Sequence, residues 1–175
     1  VNPIKFSVVR YGNVMGSNGS VIPFFLKSKD SGVLTITDER MTRFNILLRE
    51  GVEMVMHALN EAWGGEIFIP KIPSYNIMDL ANAVSETCEK KIIGIRPGEK
   101  IHEEMISKAD SFFSYDLGKY FVILPSEPVW SLEKFISKFN AIKVPENFTY
   151  NSGNNDNFLS IKKLSEIINK EFYNK

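Results

Sequence analysis

The sequence is poor in the residues that build disulfide frameworks, metal centres and membrane spans. It contains one cysteine, Cys88, and two histidines. A single thiol excludes a disulfide framework and a multi-cysteine metal site, and it favours a reducing compartment. Neither histidine has a second ligand at metal spacing, and apolar runs stay below the roughly 18 residues of a membrane span. We therefore expect a cytoplasmic protein without a metal and without a membrane partner.

A net charge of one sign is also absent, because 21 basic residues balance 21 acidic ones. Such a chain has no global field to attract nucleic acid, so any anion site must be local. With 43% hydrophobic and 24% charged residues in a length of 175, the composition is that of a folded domain. The first residue is Val1 and an apolar segment follows directly, so we expect a piece of a longer protein.

Strand-like and helix-like segments alternate with short connections, which favours an α/β layer architecture. Apolar and β-branched runs predict a buried strand over residues 4–9 and further strands over residues 33–37, 66–69, 91–95 and 121–124. Capping residues predict helices that begin at Ser20, Asn76, Ser131 and Ser160, and an apolar face at residues 52–59 predicts one more. The aromatic pairs at residues 24–25 and 112–113 are expected to fill the core. Stacking on a uracil ring is the alternative, which their spacing does not support.

Arginine is scarce, with five residues against sixteen lysines, so the position of each one is informative. Arg10, Arg40, Arg43 and Arg96 lie where predicted strands run into loops. Ligands of open α/β sheets collect outside the carboxyl ends of the strands, and guanidinium groups can bind phosphate through two hydrogen bonds. A diphosphate site is one interpretation. Ion pairing with nearby surface carboxylates is the other, and spacing alone does not decide between them.

Glu99 follows Arg96 by three residues across a Pro-Gly turn. A carboxylate accepts two hydrogen bonds in one plane, which suits the vicinal hydroxyls of a ribose beside phosphates that Arg96 would hold. A solvated loop glutamate is the competing interpretation, and it is the commoner state of this residue type.

A glycine-containing loop separates the first predicted strand from the first predicted helix. Gly12, Gly16 and Gly19 lie in it, and Asp38 follows the next strand. The arrangement imitates a dinucleotide-binding fingerprint, but the spacing is GxxxGxxG rather than GxGxxG. The bulky Tyr11 also stands directly before the turn, where a backbone would have to approach pyrophosphate. We therefore favour another role for this loop.

Five blocks of the sequence carry a family resemblance. They are SVVRYGNVMGSNGSVIPFF (7–25), ITDERMTRF (36–44), GGEIFIPKIPSYNIMDLA (64–81), IIGIRPGEKIHEEMI (92–106) and YNSGNNDNFLSIKKL (150–164). Together they resemble the carboxyl-terminal half of UDP-N-acetylglucosamine 4,6-dehydratases. More narrowly, they are similar to the inverting enzymes of pseudaminic acid biosynthesis, within the extended short-chain dehydrogenase/reductase superfamily.

The resemblance implies a Rossmann-like α/β fold, of which residues 1–175 supply the last sheet strands and the small substrate-binding region. It implies UDP-N-acetylglucosamine as substrate and NADP as cofactor. The NADP glycine motif, the Tyr-x-x-x-Lys pair and the dehydratase Asp and Lys would precede Val1. The chain alone would then carry no catalytic residue and show no turnover, and we expect the full-length enzyme to form a homo-oligomer.

The reaction that the resemblance implies begins with oxidation of the sugar at C4. The resulting ketone acidifies the hydrogen at C5, which makes loss of water across C5 and C6 feasible with a positioned base. Hydride then returns to C6, with inversion at C5.

The resemblance also implies roles for individual residues. Arg43 and Arg96 would clamp the diphosphate, and Glu99 would hold the uridine ribose. Asn13 would bind near the diphosphate, and the segment 21–23 would border the uridine. The substrate candidates are thus Asn13, Val21, Pro23, Arg43, Arg96 and Glu99, and the candidates beside the nicotinamide are Tyr11 and Gly12.

Three positions depart from the family pattern. Asn18 stands where an Arg is usual, and Asn45 and Leu47 replace the usual Trp and Thr. The sugar preference therefore stays open, because related dehydratase/5-epimerases of capsule or O-antigen synthesis share many of the same blocks. The sequence is also compatible with a non-catalytic nucleotide-sugar-binding module, and with an α/β domain whose arginines merely pair on the surface.

Overall fold

A computed structural model describes residues 4–173, in which strands and helices alternate as the sequence predicts. The α-helices are α1 (Val21–Ser28), α2 (Leu48–Glu61), α3 (Ile77–Val84), α4 (Leu132–Phe139) and α5 (Ile161–Ile168). The strands are β1 (Val8–Val9), β2 (Asn13–Val14), β3 (Val33–Ile36), β4 (Thr42–Ile46), β5 (Ile67–Pro70), β6 (Ser74–Asn76), β7 (Glu89–Ile92), β8 (Glu104–Ile106), β9 (Ser114–Asp116), β10 (Tyr120–Ile123), β11 (Ile142–Lys143) and β12 (Tyr150–Asn151).

The described residues form two units, each with its own hydrophobic core. The first unit combines the residues up to Tyr11 with Leu48–Lys71 and Glu104–Asn151. The second combines Gly12–Leu47, Ile72–Glu103 and the residues from Ser152 onward. Because the chain passes between the units several times, neither one is a continuous segment of the sequence.

The first unit is built on a mixed five-stranded sheet with the order β1-β5-β10-β9-β11. β1 runs parallel to β5, and the remaining neighbours are antiparallel. Met54 of α2, Phe68 of β5 and Phe135 of α4 are each fully buried in its core. The α/β class predicted from the sequence is therefore observed in this unit.

The prediction of a buried strand over residues 4–9 is wrong in extent and in burial. β1 covers Val8–Val9, and Ile4, Phe6 and Val8 are 82%, 77% and 53% exposed. β1 lies at one end of its sheet, and among residues 4–173 no strand pairs with its second edge. An apolar, β-branched run predicts extended backbone, whereas burial depends on which elements lie beside it.

Helix α2 buries a different side from the one that carries its large apolar residues. Val52, Val55, Met56 and Leu59 are between 46% and 74% exposed, whereas the buried positions are Gly51, Met54 and Ala58. The periodicity therefore predicts the helix correctly but does not identify the packed side. The elements packed against α2 decide which of its sides is buried, and the apolar periodicity does not encode their position.

The second unit contains the three-stranded sheet β2-β4-β6 and the parallel pair β3-β7. Helices α1, α3 and α5 contribute to its core, in which Phe25, Leu34, Leu80 and Leu164 are at most 1% exposed. The predicted cap of α3 is present, because Asn76 Oδ1 accepts a hydrogen bond of 2.7 Å from the Met78 amide.

Several smaller predictions differ from the structure. The strand expected over 91–95 lies at Glu89–Ile92, and a short strand, β12, interrupts the polar segment 147–157, whose composition predicts turns. The residues at 24, 112 and 113 are 49%, 55% and 42% exposed, so of the four paired aromatics only Phe25 belongs to the core.

Gly12 is expected to be required for packing in the second unit. A Cβ atom built at this position would lie 2.4 Å from the Cβ of Phe44, so the backbone would have to shift. We expect Gly12→Ala to lower the free energy of unfolding by about 1–3 kcal/mol, the usual cost of overpacking. Chemical denaturation measures this change.

The matched control is Gly51→Ala in α2, where an added Cβ meets no atom within 4 Å. Alanine is favoured over glycine in helices by up to ~1 kcal/mol, so this variant should be unchanged or more stable. Equal stability of the two variants would contradict the packing argument.

Candidate functional site

The second unit contains a cavity of about 590 Å³, a volume typical of small-molecule sites. Four stretches of the chain supply most of its lining: 13–27, 35–37, 41–43 and 93–99. The six residues predicted to bind substrate all line it, namely Asn13, Val21, Pro23, Arg43, Arg96 and Glu99. The fold thus brings together side chains that are far apart in the sequence.

Helix α1 forms one wall of the cavity. Ile22 and Phe25 are its buried positions and pack into the core. Val21, Phe24 and Lys27, at three-residue spacing, line the cavity. Because residues three apart lie on neighbouring turns of one helix side, α1 presents a core side and a cavity side.

A tight turn places Arg96 and Glu99 next to each other at the cavity. The Glu99 amide donates to the Arg96 carbonyl at 3.1 Å, and the Arg96 amide donates to Glu99 Oε2 at 3.3 Å. Pro97 and Gly98 occupy the centre of the turn, and Gly98 has a φ of 85°. That conformation favours glycine, so the Pro-Gly pair in the sequence fixes the turn.

Arg43 reaches the cavity from β4 and is held firmly by its neighbours. Its Nη1 donates to the carbonyls of Thr42 and Ile101, at 2.7 and 3.1 Å. Its Nε lies 3.7 Å from Glu103 Oε1, and the side chain is 18% exposed. A guanidinium with fixed orientation loses little freedom when it binds an anion.

Glu103 supplies the negative charge beside Arg43. Burial raises the pKa of the Glu103 carboxyl, although the Phe44 amide, 3.1 Å from Oε2, and the Arg43 guanidinium both favour the ionised form. The carboxylate therefore depends on Arg43 for part of its stabilisation.

A buried polar network connects β4 to the residues before β8. Thr42 Oγ1 is hydrogen-bonded to His102 Nδ1 at 2.8 Å and to Ser152 Oγ at 2.7 Å. Ser152 Oγ also accepts from the Glu103 amide at 2.9 Å. The two glutamates that follow His102 predict a charged helix face. This prediction is wrong, because residues 101–103 are not helical and the His102 side chain contacts Thr42.

Two of the four arginines that follow predicted strands, Arg10 and Arg40, form interactions away from the cavity. Arg40 forms a bidentate pair with Asp38, with distances of 2.9 and 2.7 Å, and this contact holds the Asp38 pKa at about 2. Arg10 donates to the Met105 carbonyl at 2.8 Å and lies 3.5 Å from Asp110. Neither side chain lines the cavity. The interpretation as pairing with a nearby carboxylate is therefore right for Arg40, whereas the partners of Arg10 are distant in the sequence. Of the four arginines, Arg43 and Arg96 line the shared cavity.

Comparison with known proteins identifies the family to which the chain belongs. The model of a family described as "Polysaccharide biosynthesis protein" matches residues 2–125. The chain belongs to this family. Its fold is the extended short-chain dehydrogenase/reductase type that the sequence resemblance implies.

Individual relatives cover almost the whole chain. It is 49% identical to the inverting UDP-N-acetylglucosamine 4,6-dehydratase of Campylobacter jejuni, over 94% of this chain and 51% of that protein. It is 36% identical to the UDP-glucose 4-epimerase of Rickettsia akari, over 90% of this chain and 48% of that protein. The crystal structure of Pen from Bacillus thuringiensis matches with a TM-score of 0.81 and 32% identity, over 95% of this chain and 50% of that one. The chain thus spans about half the length of these relatives.

The glycine loop of this family member does not belong to a dinucleotide-binding βαβ unit. Such a unit requires the strands before and after the helix to lie in one parallel sheet. Here β1 pairs with β5, whereas β3 pairs with β7. The loop instead contains β2, which pairs with β4.

The two cofactor candidates are not part of the cavity lining. Tyr11 is 41% exposed, and the close contact with Phe44 gives Gly12 a structural reason to lack a side chain. Their predicted place beside a nicotinamide stays a prediction.

Several residues of the lining are not predicted by the sequence. The sequence pattern assigns Phe24 to the core, and Lys27, Thr35 and Thr37 are not among the predicted site residues. The three-residue spacing of Val21, Phe24 and Lys27 is a signal that identifies the second side of α1. No pattern in the sequence identifies the two threonines, because their approach to α1 is a tertiary contact.

Metal-ligand clusters and membrane-spanning helices were sought among the residues that the structure describes. No group of three His, Cys, Asp or Glu side chains there is arranged to hold a metal ion. None of the described helices has the length and apolar character needed to cross a bilayer.

We expect Arg43→Ala to raise the pKa of Glu103 further. The substitution removes a charge that favours the carboxylate, while burial of the carboxyl still opposes ionisation. The titration of the Glu103 carboxyl carbon, followed by NMR, measures the shift.

Arg40→Ala is the matched control, since Arg40 contacts Asp38 and not Glu103. This variant should leave the pKa of Glu103 unchanged and raise the pKa of Asp38 from about 2 towards its ordinary value. If the pKa of Glu103 is the same in both variants, Arg43, at 3.7 Å, does not stabilise the Glu103 carboxylate.

Proposed function

We propose that the chain is the nucleotide-sugar-binding part of an inverting UDP-N-acetylglucosamine 4,6-dehydratase. The observation that carries the proposal is the convergence of Arg43, Arg96 and Glu99 on one cavity. The 49% identity to a Campylobacter jejuni enzyme of that name supports it. Because the chain spans about half of that relative, the activity of the whole enzyme is part of the proposal.

Each wall of the cavity has a chemical counterpart in a UDP-sugar. Arg43 and Arg96 suit the diphosphate, because two guanidinium groups can neutralise it with directed hydrogen bonds. Glu99 suits the vicinal hydroxyls of the ribose. Asn13 adds an amide near the diphosphate, and the segment 21–23 supplies an apolar border for the uridine.

The proposed product is a UDP-linked 4-keto-6-deoxy-N-acetylhexosamine for pseudaminic acid or a related surface glycan. UDP-N-acetylglucosamine loses one water molecule overall, since the hydride removed at C4 returns at C6. The chain's residues hold the nucleotide end, so their contribution to the reaction is to fix the position of the sugar.

The proposal assigns NADP to the enzyme, where it supplies reversible hydride acceptance. The loop between β1 and α1 is not part of a dinucleotide-binding βαβ unit, because β1 and β3 belong to different sheets. We propose that NADP is bound mainly by another part of the enzyme, with Tyr11 and Gly12 at the nicotinamide end. We further propose a cytoplasmic homo-oligomer.

A related activity on the same scaffold is the second candidate. A Rickettsia akari relative at 36% identity is named UDP-glucose 4-epimerase, and dehydratase/5-epimerases are further candidates. All of these use a UDP-sugar site, as does a non-catalytic binding module. Product analysis by NMR separates them, because an epimerase keeps the C6 hydroxyl whereas a dehydratase removes it.

We expect the protein to bind UDP, and Arg96→Ala to weaken this binding by about 2–5 kcal/mol if the ligand charge is left buried and unpaired. Isothermal titration calorimetry measures both affinities. Arg40→Ala is the control, since Arg40 is paired with Asp38 outside the cavity lining. An Arg96→Ala variant that binds UDP as tightly as the wild type would reject the diphosphate clamp.

The 175 residues alone are expected to show no turnover with UDP-N-acetylglucosamine and NADP. Mass spectrometry detects the loss of water from the sugar nucleotide. Formation of the 4-keto-6-deoxy product by these residues would contradict the assignment of all catalytic groups to another part of the enzyme.

A further inference from the structure

The glycine loop reaches α1 through two consecutive tight turns. The Ser17 amide donates to the Val14 carbonyl at 3.1 Å, and the Ser20 amide donates to the Ser17 carbonyl at 3.0 Å. Gly16 and Gly19 occupy the third positions of these turns, with φ values of 78° and 76°, a conformation that favours glycine. Because the two turns share Ser17, the orientation of the second turn depends on that of the first.

The second turn contributes to the wall of the cavity, whereas the first turn is packed against an aromatic ring. Asn18, Gly19 and Ser20 all line the cavity. A Cβ atom built at Gly19 would meet no atom within 4 Å. A Cβ atom built at Gly16 would instead lie 2.9 Å from Cζ and 3.3 Å from Cε1 of Phe172. The ring of Phe172 therefore lies against the backbone of the first turn.

Phe172 comes from the segment that follows α5. A π-helical turn, Asn169–Tyr173, continues α5 and carries the ring. Leu164 and Ile168 of α5 are 0% and 3% exposed. Phe172 continues their four-residue spacing, which brings the three side chains to one side of the helix, and it packs against the core that contains the other two. The ring thus connects this core to the glycine loop.

The contact with Phe172 opposes the backbone freedom of the glycine loop. Glycine loses more conformational entropy on ordering than any other residue, so a turn built on it costs free energy to hold in one shape. A loop that is already ordered before the ligand arrives loses less entropy on binding. Phe172 does not line the cavity, so its effect on a ligand has to pass through the loop.

We propose that Phe172 is a positioning residue that holds the glycine loop in the conformation that binds the nucleotide sugar. The inference rests on the proposed function, since it concerns the affinity of the UDP site, and it adds a residue from outside the cavity. Phe172 acts on the first turn at Gly16, and the first turn sets the place of Asn18 and Ser20 in the cavity wall.

Phe172→Leu tests the proposal, because it removes Cζ and Cε1, the ring atoms nearest to Gly16, and keeps an apolar branch against the core. We expect this variant to bind UDP roughly 3- to 30-fold more weakly in isothermal titration calorimetry, as for residues that act on a site without contacting its ligand. Tyr173→Leu is the matched control, because Tyr173 is 60% exposed and does not line the cavity. Its UDP affinity should stay within about twofold of the wild type.

Ile168→Val separates positioning of the loop from a general loss of stability. It shortens a buried side chain of α5 and should lower the denaturation midpoint, but it leaves the Phe172 ring against Gly16. The UDP affinity of the folded fraction should therefore equal that of the wild type. If Ile168→Val loses as much UDP affinity as Phe172→Leu, the ring acts through the stability of the core, and the proposal is overturned.

Gly16→Ala tests the contact itself. Its added methyl group would meet Phe172 Cζ, and the φ of 78° would strain the backbone as well. In the Phe172→Leu background only the backbone strain remains, so Gly16→Ala should weaken UDP binding less there than in the wild type. Residues in contact show such non-additive effects. Equal effects in the two backgrounds would contradict a role that acts through Gly16.

The positioning role and the proposed function fail separately. If the wild type binds UDP and Phe172→Leu binds it equally well, the positioning role is wrong while the UDP site stands. If the wild type does not bind UDP at all, the proposed function is rejected, and the role of Phe172 with it.

Discussion

The charged side of the cavity depends on the buried hydrogen-bond network around Thr42. Thr42 is 5% exposed and Ser152 is fully buried, and together with His102 they join β4 to the segment 101–103. A buried hydroxyl without a partner costs roughly 1–3 kcal/mol, so the network tolerates few other arrangements. Because Arg43 follows Thr42 directly and donates to the Ile101 carbonyl, the same network fixes the direction of its guanidinium.

The two cavity arginines are held in different ways, and this difference suits a ligand that must enter and leave. Arg43 is 18% exposed and bonded to two carbonyls, so it forms a fixed part of the wall. Arg96 lies on an exposed turn whose shape is set by Pro97 and Gly98. A rigid backbone turn with a solvated side chain positions a charge without burying it. Binding would then desolvate Arg96, whereas Arg43 is already largely desolvated.

Helices α1 and α2 illustrate one limit of periodicity as evidence. In both, apolar residues recur at helical spacing, and in both some of those residues lie outside the core. On α1 the second side lines a cavity that also carries charged groups. On α2 it remains exposed, at Val52, Val55, Met56 and Leu59, while the small residues Gly51 and Ala58 face inward. An apolar side therefore predicts the helix, and only the neighbouring elements decide whether that side is packed, lines a cavity or stays exposed.

The α/β class, the α3 cap at Asn76, the Pro-Gly turn and the family are predictable from the amino-acid sequence, because they depend on local backbone preferences and contiguous motifs. The family resemblance also identified six of the residues that line the cavity, and for Arg43, Arg96 and Glu99 the spacing left a purely structural interpretation open as well. Tertiary structure was needed to show which carboxylates lie beside Arg10 and Arg43, namely Asp110 and Glu103, since these partners are distant in the sequence. The same holds for Phe24 and His102. Their surroundings are set by long-range packing, which no local pattern encodes.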